Sequence, residues 1–324
     1  MMLAAFLILW GLVAASICGA ATFTEDFSAD PLQDGWRIFG DTNLFHWDST
    51  NQNLAVTWDS SQTNSYFYHP FGTILARSDD FGISFDLQLT DITIGVNPAK
   101  TNTFEVAVGF INFINATNTD LERGTGRTSQ GARNTCEFDY FSDSGYGATI
   151  SPTIISSNNQ FATTFAFPFA LDPGALFHVT MNYTAANQTL HTTMTRNGAP
   201  FASGAIPDVL LGSNFDFRLD NFAIINWSDA GADGSLLAHG TVDNFVVTVP
   251  PPPIQNLTGA FSNNVWQAQF ISQSNWLYTL QQTADFVSWN DVSISTSGNG
   301  TNLFLPDANA IACKSSYRVR ADRP

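Results

Sequence analysis

From Phe81 to Thr90 apolar and polar side chains alternate without a break, with Phe81, Ile83, Phe85, Leu87 and Leu89 set against Gly82, Ser84, Asp86, Gln88 and Thr90. Successive side chains of a strand point to opposite faces, so a period of two marks a strand with one face in a core and the other toward water. The pattern returns in Phe104, Val106, Val108 and Phe110, and again in Phe177, Val179, Met181 and Tyr183. Nowhere is there the sustained 3.6-residue period of a long amphipathic helix. Asn197-Gly198 is a hairpin signal, because a type I′ turn needs positive φ at both central residues. With further runs at Asn53–Trp58, Phe215–Ile225 and Gly240–Val249, residues 22–249 read as one large antiparallel β-sandwich. The fold class expected for the whole chain is all-β.

The ends of the chain read differently. Residues 1–21 form an apolar run that closes on small residues, which is expected to be a secretory signal peptide cleaved near Ala20 or Ala21. A membrane span is the weaker reading, since the run is short for spanning and no basic residues follow it. The mature chain is therefore expected to be exported, secreted or held at the cell surface. Pro250-Pro-Pro-Pro253 cannot continue a sheet interior, and residues 250–254 are read as a linker. Beyond it, residues 255–324 carry short strand-like runs and read as a small β-sandwich of immunoglobulin or fibronectin size. Cys18 leaves with the signal, and Cys136 and Cys313 are expected as buried free thiols, with a single bridge in an oxidising compartment as the alternative.

The net charge of −16 is carried entirely by the larger domain, with 24 acidic and 8 basic residues up to Val249 and four of each beyond. Such a surface excludes nucleic acid as a partner, because phosphate recognition needs clustered Lys and Arg. Within that domain Asn134-Thr-Cys-Glu-Phe-Asp-Tyr-Phe-Ser-Asp143 stands out. On a strand, Glu137, Asp139 and Phe141 share one face and Cys136, Phe138 and Tyr140 the other, with the two carboxylates about 6.6 Å apart along the chain. Carboxylates beside exposed aromatics suit sugars, whose apolar faces stack and whose hydroxyls need acceptors. Most of the Trp and Tyr residues read as core; Tyr146, in a Gly-rich loop past the central run, is the exception.

The order of features resembles the concanavalin A-like lectin/glucanase superfamily, a jelly-roll sandwich that includes laminin-G-like modules. It rests on Thr24-Glu-Asp-Phe-Ser28, Gly35-Trp36, the central Glu137-Phe-Asp-Tyr-Phe141, Phe177-His-Val-Thr-Met-Asn-Tyr183 and Gly240-Thr-Val-Asp-Asn-Phe245. Laminarinase-type hydrolases carry a second Glu four or five residues after the first; here Phe141 and Ser142 stand there, so the resemblance implies a lost proton donor. Legume-type lectins hold calcium through the corresponding acids, which implies Glu137, Asp139 and Asp143 as metal ligands, while the manganese half is replaced by Ala148 and Thr153. A second calcium place is implied where first and last strands meet, at Glu25, Asp26 and Asp243. Ala232-Asp233-Gly234 is similar to a lectin sugar-loop tripeptide but falls after the central run rather than before it. The tail around Trp276–Asp285 resembles a short C-terminal module of exported bacterial proteins. The expectation is thus a lectin-like, non-catalytic binder of an extracellular polysaccharide or glycoconjugate through Glu137, Asp139, Phe141 and Tyr146, with calcium in support. A divergent hydrolase or lyase, requiring a third acidic or basic group near Glu137 in a cleft, and an adhesive surface protein are the alternatives.

Overall fold

The computed structural model describes residues 20–123, 131–263, 265–310 and 315–324. Of the expected signal peptide only Ala20 and Ala21 are described; Cys18 and Cys313 lie outside the described residues. Two antiparallel sheets form the larger unit. The first runs Ala199–Phe201, Thr189–Arg196, Phe177–Thr184, Phe81–Ile94, Leu236–Val249, Asn53–Asp59, Phe45–Asp48, with Ala21–Glu25 also paired to Leu236–Val249. The second runs Phe161–Thr163, Thr149–Ile155, Thr135–Phe141, Glu105–Ile111, Leu219–Asn226, Ser65–Leu75, Arg37–Phe39.

Alternation in sequence becomes alternation in burial. In Asn53–Asp59 every second residue is buried, and Phe85, Leu87 and Leu89 are sealed between the sheets. Phe138 meets Phe85 across the gap, edge to face at 6.1 Å, and Phe81 meets Phe110 at 5.2 Å. Cys136, Phe138 and Tyr140 thus point into the core, and Glu137, Asp139 and Phe141 lie on the outer face of the second sheet. The Asn197-Gly198 turn has φ of 49° and 79°, as its hairpin requires. Trp36, Trp58 and Trp227 are core residues, in keeping with their expected place.

The outer face of the second sheet has a narrow centre. Gly109 lies opposite Glu137, and a Cβ there would stand 2.2 Å from the Cys136 carbonyl oxygen and 2.6 Å from the Glu137 Cα. Glycine in a strand interior marks such a close backbone approach. Gly109→Ala is expected to lower stability by about 1–3 kcal/mol through overpacking, read as an earlier urea midpoint with an unchanged slope.

Past Pro250–Pro253, the strands from Ile254–Ser262 to Ser316–Asp322 form two small sheets around a separate apolar cluster of Ala268, Phe270, Trp276, Tyr278, Leu280 and Leu305. This unit is tied to the larger one. The Arg323 guanidinium pairs with Asp79, lies over the Trp276 ring at 4.7 Å and donates to the Ile74 carbonyl at 3.2 Å. Among the described residues no helix is long and apolar enough to cross a membrane.

Candidate functional site

Strand register gathers the candidate site at one end of the second sheet. Glu105 pairs with Phe141 and Phe141 with Thr149, so the first strand begins, the second ends and the third begins at the same level. The loops 95–104, 142–148 and 227–235 emerge there.

Glu137 and Asp139 do not face solvent. They are 0% and 1% exposed, which corrects the expectation of an open, solvated acidic face. The reason is Arg123, a buried side chain that the chain lays over this face. Its Nη2 stands 2.8 Å from Glu137 Oε1 and 3.6 Å from Asp139 Oδ2, and its Nε 3.0 Å from Glu105 Oε1. The other Glu137 oxygen accepts from the Trp227 indole N–H at 2.9 Å. The rings of Phe161 and Trp227 each stand 5.7 Å from the guanidinium carbon.

One buried cation thus serves three carboxylates. Burial pushes Glu105 up to about 7, against the pull of Arg123 and with the charge of Glu137 adding to the rise. Burial, then the charges of Glu137 and Glu105, hold Asp139 well above the usual carboxylate range. Burial works against the charge on Arg123, but the surrounding carboxylates outweigh it and keep its pKa above the ordinary value. Asp139 Oδ1 is buried without a hydrogen-bond partner among the described residues.

The donor set does not fit calcium. A divalent cation at Glu137 and Asp139 would sit beside a guanidinium that already holds Glu137, and Asp143 is exposed in a turn, accepting from the Gly145 N–H at 3.0 Å. At the meeting of first and last strands Glu25 does pair with Phe245 in register. Its two oxygens, however, accept from the Phe27 N–H at 2.8 Å and the Trp36 indole at 2.9 Å. Asp26 accepts from the Ser28 N–H, and Asp243 from the Asn244 N–H. Glu25, Asp26 and Asp86 are near enough to add to the burial that pushes Asp243 up to about 6. Among the described residues no three acidic, His or Cys side chains are gathered in a way that could hold a metal ion.

What does open to solvent is a cleft of about 300 Å³ beside the sealed acids, lined by Asn102, Glu105, Arg123, Phe141, Phe161 and Asp233. Asn102 and Asp233 are exposed, and their side chains make no hydrogen bond among the described residues. Their backbones are tied, Asn102 N–H to the Asp233 carbonyl at 3.3 Å, in a parallel bridge that also joins Asn102 to Gly234. Gly234 is needed there, since a Cβ would fall 1.9 Å from the Thr103 carbonyl oxygen. Chain folding has therefore brought the Ala232-Asp233-Gly234 tripeptide to the central strand despite its place in the sequence. Tyr146 lies in the next loop, 74% exposed, its ring 5.4 Å from that of Phe167, which is 47% exposed. Bridging of Ala166 to Ile150 holds that second ring at the same end of the sheet.

Glu105, Arg123, Phe161 and Asn102 were not singled out by sequence reading. Glu105 had a signal, as the only charge in the run Phe104–Ile111 and one of four glutamates up to Val249. Arg123 had none.

No protein-family model matches the chain, and no curated protein matches it. Solved structures similar to it include a peanut lectin with a nonapeptide, at 17% identity over 71% of this chain and 98% of that one, TM-score 0.42. Another is lectin II from Ulex europaeus, at 12% identity over 72% and 100%, TM-score 0.44. A third is a prokaryotic β-1,3-1,4-glucanase (lichenase) derived from a mouse hindgut metagenome, at 9% identity over 71% and 99%, TM-score 0.38.

Proposed function

We propose that this chain is an exported, non-catalytic carbohydrate-binding protein whose sugar site is the cleft between Asn102, Phe141, Phe161 and Asp233. The observation that carries the reading is the cleft itself. Two half-buried phenyl rings supply apolar walls, while a free carboxylate, a free amide and the Glu105–Arg123 pair converge on the same space. That is the chemistry a hexose asks for, with stacking for its C–H faces and acceptors and donors for its hydroxyls. The exposed Tyr146–Phe167 pair extends the site for a longer chain. These rings favour a sugar over the adhesive alternative, which expects no aromatic platform.

Glu105 is the third acid that a hydrolase reading requires, and its position near neutrality suits proton transfer. The reading nevertheless fails at the nucleophile. Both Glu137 oxygens are held by donors and none of its surface reaches the cleft.

Affinity electrophoresis through gels containing neutral polysaccharides tests the assignment. Asp233→Ala and Phe141→Ala are each expected to weaken retardation at least about tenfold, the scale of one charged hydrogen bond or one stacked ring. Tyr146→Ala is expected to weaken binding of long chains and to leave short oligosaccharides unaffected. Retention unchanged in both Asp233→Ala and Phe141→Ala would remove the sugar from this cleft.

A further inference from the structure

A second cleft, of about 450 Å³, lies between the two units, far along the second sheet from the first. Its floor is the outer face at the opposite edge of that sheet, where Arg37 and Tyr68 are cross-strand partners. Asn221 lies beside them, and the Phe113 ring leans on Tyr68 at 4.5 Å. The far wall is Trp276 of the C-terminal unit, whose ring Arg323 overlies at 4.7 Å.

Three observations separate this cleft from a mere seam between units. First, Arg37 is exposed and makes no hydrogen bond or ion pair among the described residues, in a chain of net charge −16 where Arg123, Arg196, Arg218, Arg320 and Arg323 all have carboxylate partners. Second, Tyr68 is 8% exposed and lines the cleft, with no hydrogen bond to its hydroxyl among the described residues. Third, the one acid in the lining is already occupied. Asp220 accepts from the Phe113 N–H at 2.8 Å, from the Asn221 amide at 2.5 Å and from the Asn112 amide at 3.3 Å, which spreads its charge over three donors. What the lining leaves free to meet a ligand is a guanidinium, a phenol and an amide among aromatic rings, while the Asp220 oxygens are turned to neutral N–H donors of this chain.

We infer that the inter-unit cleft is a second saccharide site, specific for uronate residues. The sugar carboxylate would take the paired N–H groups of Arg37, a fork geometry that a guanidinium matches in two parallel bonds. The ring face would lie among Tyr68, Phe113 and Trp276, and the hydroxyls would meet Asn221 and the Tyr68 phenol. A volume of this size is within the usual range for small-ligand sites, which favour the junctions of domains. The chain would then engage a polysaccharide carrying both neutral and acidic residues at two separate places.

The test is calorimetric titration of the full chain with pectin- and alginate-derived tetrauronates and with cellotetraose. At least one tetrauronate is expected to bind, to lose at least about tenfold in affinity in Arg37→Ala, and to be partly restored in Arg37→Lys. Ile114 is 77% exposed at the rim, so Ile114→Asp should preserve the fold while repelling the ligand carboxylate. Asp233→Ala is expected to leave this titration unchanged, so failure of one site is distinguishable from failure of the other. Absence of tetrauronate binding at millimolar concentration overturns the inference, as does binding that survives both Arg37→Ala and Ile114→Asp.

Discussion

Arg123→Met is expected to lower the stability of the chain by about 3–5 kcal/mol at pH 7.5, measured as the shift in urea midpoint multiplied by its slope. The side chain occupies nearly the volume of the original and can still lie against Phe161 and Trp227, so packing is a small part of the loss. The large part is electrostatic. Removing the cation leaves Glu137 and Asp139 sealed from water, with Glu105 at the cleft wall, and no counter-charge among the contacts described above, only the Trp227 N–H remaining for Glu137. A buried ion pair contributes little against well-packed apolar residues, whereas a buried charge stripped of its partner is severely destabilising. The corollary distinguishes the two causes. Adding Glu137→Gln to Arg123→Met is expected to return more than half of the loss, because a neutral amide needs no counter-charge; a loss due to packing would persist.

Stability of the unmodified chain is expected to fall by about 3 kcal/mol as pH rises from 5 to 8, and Glu105→Gln is expected to flatten that slope. In the folded chain burial has raised Glu105 from 4.5 to about 7. The folded state therefore binds a proton that the unfolded state has released, and protonation stabilises the fold below about 4.5. That contribution is lost progressively as pH climbs through 7, at about 1.4 kcal/mol for each unit separating the two states. Asp139 is shifted in the same direction by burial, and Asp243, pushed up to about 6, adds to the same slope. Urea titrations at four pH values measure it. A stability that rises over this interval would mean that Glu105 is held ionised by Arg123 and that the cleft wall is permanently charged.

The strands were legible because their physics is local. Phe81 through Thr90 must alternate faces whatever surrounds them, and Cys136, Phe138 and Tyr140 are too apolar to point anywhere but inward. Asn197-Gly198 is equally self-sufficient, since few other dipeptides accept positive φ twice. The state of Glu137 was not legible. Its face could be read, but what covers that face is Arg123, 14 residues earlier in the chain, and Trp227, 90 residues later. Neither spacing carries a pattern. An outward-facing carboxylate on a strand is ordinarily solvated, and only the tertiary fold turns that face into a second interior. Asp233 illustrates the converse, a residue set aside for standing on the wrong side of the central run that a parallel bridge to Asn102 nevertheless delivers to the site. The surroundings of Glu25 were hidden by a similar remote contact, since the Trp36 indole donates to one of the oxygens a cation would use.

The most direct test of a non-catalytic sugar site beside sealed carboxylates is one calorimetric titration of the full chain with neutral oligosaccharides, with reducing ends assayed in the cell afterwards. The account predicts saturable binding that Asp233→Ala weakens at least about tenfold, with no reducing ends released above the blank. Release of reducing ends that Glu137→Gln abolishes would contradict it, by showing that Arg123 leaves Glu137 in the chain's working state.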